Sequence, residues 1–103
     1  MTNNPIIKTT AELLKKNCEF INEIHLISFK VDNDSNLTSF KLAIILDDNA
    51  DDLPELECRL YLEVDCEVPF DLVIYRQGEF NKLKGEIGTF AWKISNAGAK
   101  LYG

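Results

Sequence analysis

The chain has 103 residues, 46% of them hydrophobic and 27% charged, enough for one core in a single folded unit over residues 1–103. Its 17 acidic and 11 basic side chains leave a formal net charge of −6, and such a chain repels a phosphate backbone, so nucleic-acid binding is not expected. No apolar run approaches the roughly 20 residues of a membrane span, and "MTNNPIIKTT" lacks the basic start and long apolar stretch of a signal peptide, so the expected location is cytoplasmic, away from any membrane.

In chain order, Leu13, Leu14, Cys18, Phe20 and Ile21 share one broad face and predict a helix from about Thr10 to Ile21. Thr9 or Thr10 is its expected cap, with Glu12 in the first turn. "EIHLISFKV" reads as a strand in which Ile24, Leu26 and Ser28 alternate with His25, Ile27 and Phe29. The polar cluster "DNDSN" turns the chain into "LTSFKLAIIL", a second strand, and the short gap predicts an antiparallel hairpin. In "DDNADDLPE" Asp51 or Asp52 caps a helix, Pro54 fits its first turn, and Glu55 completes a box with Asp52. Leu53, Leu56, Leu60 and Val64 then recur at helical spacing.

After Pro69 comes "FDLVIY", whose near-continuous apolar run implies a central strand covered on both faces. "QGEFNKLK" predicts a short helix. "GTFAWKISNAG" predicts another, capped by Thr89 and stopped by Gly98, with Phe90, Ile94 and Ala97 inward and Trp92 facing elsewhere. "AKLYG" closes the chain as a short strand. The predicted order is α-β-β-α-β-α-α-β, an α+β class fold with helices on a mixed α/β sheet.

Few side chains point to chemistry. Three cysteines, none in a C-x-x-C pair, do not make the framework of a small secreted fold. Cys18 and Cys58 fall on apolar helix faces and are expected to be buried and reduced, while Cys66 between Asp65 and Glu67 does not read as a reactive thiol. His25 is the only histidine, too few ligands for zinc, and reads as a packed side chain. Asp32-x-Asp34-x-Asn36 opens like a calcium loop, but its sixth and twelfth positions are Leu37 and Ala43, so a hairpin turn is expected instead. Asp47, Asp48, Asp51 and Asp52 cluster where a strand ends and a helix starts, and are read as solvated caps before metal ligands. Neither phosphate-cradling glycine loop is present, nor a serine nucleophile elbow.

The stretch "PFDLVIYRQGEFNKLKGEIGTFAWKISNAGAKLYG" resembles the minimal nucleotidyltransferase family, small domains of the polymerase-beta-like superfamily. The matching residues are Asp71, Tyr75, Glu79, Phe80, Gly88, Thr89, Phe90, Gly98, Leu101 and Tyr102, and "DDLPELECRLYLEV" looks like the family's central helix. The resemblance implies a nucleotidyltransferase-like fold. In that family a Gly-Ser turn after the first strand holds nucleotide phosphates. Two aspartates, two residues apart on the second strand, bind divalent metal with a third on the neighbouring strand, an arrangement suited to two-metal chemistry.

Asp71 stands at the third position. The turn instead reads Ile27-Ser28-Phe29-Lys30, and the paired metal positions align with Ser39 and Lys41. No aspartate lies between Asp34 and Asp47, so a shift of register does not restore the pair. The resemblance therefore implies a degenerate member with no catalytic residue, metal or cofactor. It is expected to act as a binding or regulatory module, an antitoxin-like partner of an all-helical HEPN protein or a homo-oligomer, with Trp92 as candidate interface. Lys41 is expected to replace the metal as the partner of a buried Asp71. The alternative is an active nucleotidyltransferase that uses Asp71 with Asp47 or Asp48, Mg²⁺ and a nucleotide triphosphate to modify a hydroxyl.

Overall fold

A computed structural model describes residues 1–103 as four helices on one four-stranded mixed sheet, an α+β architecture. The elements follow the predicted order: α1 (Pro5–Asn17), β1 (Ile21–Val31), β2 (Leu37–Leu46), α2 (Leu53–Glu63), β3 (Phe70–Arg76), α3 (Gln77–Leu83), α4 (Phe90–Ala97) and β4 (Ala99–Tyr102). Across the sheet the strands lie β3-β2-β1-β4. The β1–β2 and β1–β4 contacts are antiparallel, and β2–β3 is parallel, with α2 as the crossover that a parallel pair requires.

The first helix starts earlier than the periodicity predicts. Asn4 Oδ1 accepts the N–H groups of Ile6 and Ile7 at 2.9 and 3.3 Å, and Pro5 occupies the first turn, where its missing N–H does no harm. Thr10 therefore sits mid-helix, buried, with its hydroxyl donating to Ile6 O at 2.8 Å, and no acidic side chain lies in the first turn. Lys15 and Lys16 place positive charge in the last turn, next to the negative end of the helix dipole. The helix also ends earlier than expected, at Asn17: Cys18 is its C-cap, Phe20 lies in the following turn, and Ile21 already opens β1. The starts of α2 and α4 agree with the sequence. Asp52 caps α2 through Glu55 N–H at 3.2 Å, held at φ 40°, a left-handed backbone that Asp tolerates better than most residues. Thr89 caps α4 through Trp92 N–H at 3.1 Å. Gly98 ends α4, and a Cβ there would lie 2.6 Å from Ile94 O, so close approach of backbone, rather than a positive φ, demands glycine.

The central strand is β2, not β3. Leu42 to Leu46 are all fully buried and feed both faces of the sheet. Leu42, Ile44 and Leu46 join Ile7, Leu14 and Leu60 in the core under α1 and α2. Ala43 and Ile45 meet Phe80, Ala91 and Ile94 under α3 and α4. By contrast β3 is an edge strand in which only Leu72 is buried. Helices cover both of its faces in part, which explains the apolar run, but its outer side has no strand neighbour. Tyr61 from α2 closes part of that side, its hydroxyl accepting Leu72 N–H at 2.7 Å. Burial pushes the Tyr61 hydroxyl above its ordinary value of 10.0; the Leu72 hydrogen bond opposes this and the Glu57 and Asp71 charges add to it.

Candidate functional site

One face of the sheet divides into two ends. The helix-covered end lies beneath α3 and α4. The other runs past them toward the β1–β2 turn, and here the register brings Lys41 opposite Asp71 across the parallel β2–β3 pair. Ser28 faces Lys41 and Lys30 faces Ser39 across the antiparallel β1–β2 pair. Ser28, Lys30, Ser39, Lys41 and Asp71 thus line one shallow depression of about 150 Å³.

The aligned positions Ser39, Lys41 and Asp71 do come together, but without the expected burial. Asp71 is exposed, Ser39 and Lys41 are half-buried, and no ion pair forms between Lys41 and Asp71 within 4.0 Å. The buried Lys41–Asp71 pair is corrected on this point. The two residues lie beyond the reach of α3 and α4, so water solvates both charges and little electrostatic gain remains to hold them together. Nor does the donor set fit a divalent cation. One carboxylate, one neutral hydroxyl and one ammonium offer too little negative charge, and Lys41 puts positive charge where the cation would sit.

The aspartates at the opposite end of β2 do not join this depression. Asp47 follows the last residue of β2, roughly 20 Å along the strand from Lys41. Asp47 Oδ1 accepts Asn49 N–H at 2.8 Å, and Asp48 Oδ1 accepts Gly78 N–H at 2.9 Å, tying the β2 end to the start of α3. With the Asp52 cap, these are backbone-satisfying roles. Asp32 acts likewise in the hairpin turn, accepting the N–H groups of Asp34 and Asn36, both at 2.9 Å. The hydrogen bond from Asn36, the largest influence, holds the Asp32 carboxyl below its ordinary value of 3.8.

Under the helix-covered end lies a polar cluster that His25 alone did not announce. His25 is buried, with its Nε2 3.0 Å from Glu23 Oε1. Gln77 Nε2 donates to Glu23 Oε2 at 3.0 Å, and Lys100 Nζ lies 3.5 Å from Oε1. Burial alone would raise the Glu23 carboxyl above 4.5; the hydrogen bonds from Gln77 and His25 and the Lys100 charge outweigh it and hold the carboxyl lower. The signal in the sequence was the spacing of Glu23 and His25, since residues two apart on a strand share a face. Their partners on α3 and β4 have no such signature.

Other expectations resolve simply. Cys18 is buried as expected; Cys58, expected to be buried, is instead exposed, because the inward face of α2 is made by Leu56 and Leu60; Cys66 is half-buried with its Sγ 3.3 Å from Thr10 Oγ1. Trp92 is half-buried. The inward residues of α4 are Ala91 and Ile94, whereas Ala97 is exposed and Phe90 is 41% exposed beside Ile87 at 83%. No helix is long and apolar enough to cross a membrane. Compared with protein-family models, with curated proteins and with solved structures, the chain gives no match.

Proposed function

We propose that this chain is a binding or regulatory module on a nucleotidyltransferase-like scaffold that has lost transferase activity. The observation that carries the reading is the register of Lys41 against Asp71, with Ser39 two residues before Lys41 on the same face. A scaffold of that family would gather its three metal carboxylates at these positions. Here they bring one carboxylate, a hydroxyl and a lysine into a depression of about 150 Å³. The surroundings of the missing Gly-Ser turn support the same reading, because Ser28 and Lys30 lie within β1, just past a register shift at Ile27, and offer no glycine for close approach of a phosphate.

On this reading the chain acts in the cytoplasm through a protein partner, an all-helical HEPN-type protein or a second copy of itself, and needs no metal or nucleotide. The test is a thermal-shift titration with Mg²⁺ and each of the four nucleoside triphosphates, with an EDTA control. A ligand that binds the folded chain raises its midpoint by mass action. The expected result is no metal-dependent shift for the native chain. A clear shift that EDTA abolishes would overturn the reading. The double substitution Ser39→Asp with Lys41→Asp sharpens it, because a Mg²⁺-dependent shift in that variant alone would mean that the old geometry persists around altered side chains.

A further inference from the structure

Between α1 and β4 lies a cavity of about 330 Å³, within the size range of small-molecule sites, and it shares no residue with the depression around Lys41 and Asp71. Helical spacing puts Lys8, Ala11, Glu12 and Lys15 on one face of α1, and this face makes one wall. Lys100, Leu101 and Tyr102 of β4 make the other. Asn4 N–H donates to Met1 O at 2.9 Å, and that turn sets Thr2 and Asn3 against the same cavity. Ala11, Leu101 and the Tyr102 ring supply the apolar part of the lining.

The charge of this lining departs from that of the chain. It holds three of the 11 basic side chains and one of the 17 acidic ones. Lys100 is already matched, with its Nζ 3.5 Å from Glu23 Oε1. Lys8, Lys15 and Glu12 remain, no two of them within 4.0 Å, so the cavity keeps an excess of one positive charge. Lys16 and Glu19, next along the chain, do not line it, nor do Asp65 and Glu67, which stand beside Thr9 and Thr10 on another side of α1. Lys15 is held in place, since its Nζ lies 3.9 Å from the centroid of the Tyr102 ring. This cation–π contact satisfies one side of the ammonium and leaves donors for a ligand.

We infer that the cavity between α1 and β4 binds a small monocarboxylate with a short apolar body. Its carboxylate would accept hydrogen bonds from Lys8 and Lys15, charge-assisted and so stronger than neutral ones. Its apolar body would lie against Ala11, Leu101 and the Tyr102 ring. The charge count selects the class of ligand. One carboxylate balances the excess, whereas a phosphate dianion would overshoot it beside the Glu12 carboxylate. The inference goes beyond the reading of the chain as a degenerate scaffold and does not rest on it. Its test uses neither Mg²⁺ nor a nucleotide, so the two fail separately.

The probe is benzoate, titrated into the full chain while the Leu101 amide and the Tyr102 amide and ring signals are followed by NMR. Benzylamine and phenyl phosphate are the cationic and dianionic controls. Benzoate should shift these signals saturably, and more weakly as salt is raised. Lys8→Gln and Lys15→Gln should each weaken binding by about tenfold through loss of a charge-assisted hydrogen bond. Glu12→Gln should strengthen it by roughly threefold, by removing the one repelling charge. Lys16→Gln changes the net charge as much from outside the cavity, and should alter binding by less than about twofold. All four side chains are exposed, so none of these variants endangers the fold. Equal weakening by Lys16→Gln overturns the inference, by reducing it to net charge. So does the absence of saturable shifts at Leu101 and Tyr102, or binding of benzylamine or phenyl phosphate as tight as that of benzoate.

Discussion

The helix-covered and open ends of one sheet face are built from the same strands, yet they handle charge in opposite ways. Under α3 and α4, Glu23 is only 18% exposed and is met by His25, Gln77 and Lys100. Past the helices, Asp71 faces Lys41 in register and the two make no ion pair. Burial makes the difference. Where water is excluded, a carboxylate must be supplied with donors or it destabilises the fold; where water remains, it supplies them itself. Register places residues opposite one another, and only cover makes them bind.

The strongest way to break this contrast is to strip the cover. Phe80 is almost fully buried and packs beside both His25 and Tyr75 at 5.8 Å between ring centroids. Phe80→Ala should cost about 3–5 kcal/mol in urea denaturation, and an effect below about 1 kcal/mol would mean that α3 does not seal this end. Next in size is Glu23→Ala, expected to cost about 1–3 kcal/mol by leaving the buried His25 ring without its partner. Because Glu23 is held below 4.5 in the fold, its contribution is complete above that pH and is lost as pH falls through the lowered folded value. Glu23→Gln should flatten this part of the stability-versus-pH curve, and an unchanged acid limb would contradict the role.

At the guarded edge, Tyr61→Phe removes the acceptor for Leu72 N–H and should cost about 1 kcal/mol, with faster amide exchange at Leu72 as the specific readout. Tyr61 also titrates above 10.0, so the native chain should lose stability as pH rises past that value, and Tyr61→Phe should lose less. The smallest effects belong to the open end. Lys41→Ala and Ser39→Ala should each stay within about 0.5 kcal/mol of the native chain. A distinctly larger loss for Lys41→Ala would revive the buried pair with Asp71.

Local chemistry carried most of the fold from sequence. The Asp52 and Thr89 caps, the Gly98 stop and the Asp/Asn hairpin turn are each written within a few residues. Strand placement was less legible. "FDLVIY" and "LAIIL" are both apolar, and an apolar run records cover on two faces without recording whether a strand lies on each side. The start of α1 was written locally as well, with Asn4 as cap, Pro5 in the first turn and Ile7, Ala11 and Leu14 at helical spacing, but Thr9 and Thr10 offered a competing cap further along the chain. In the candidate site, spacing alone brought Ser39, Lys41 and Asp71 to one face. Their exposure depends on where α3 and α4 end over the sheet, and no short stretch of sequence encodes that. Glu23 needs Gln77 and Lys100, which are distant in sequence and joined only by the fold.

The parallel β2–β3 contact also bears on the order in which the chain assembles. β1 and β2 are joined by a tight turn, so their pairing closes only a short loop. β3 reaches β2 only after α2 has carried the chain back across the sheet, a longer closure with a larger entropic barrier. The hairpin should therefore form the folding nucleus. Ile44→Val should mainly slow refolding, and Val73→Ala should mainly speed unfolding, as chevron kinetics would show. The reverse pattern would place β3 in the nucleus. The strand carrying Asp71 would then be the last to dock, and the depression beside it would be complete only when folding is.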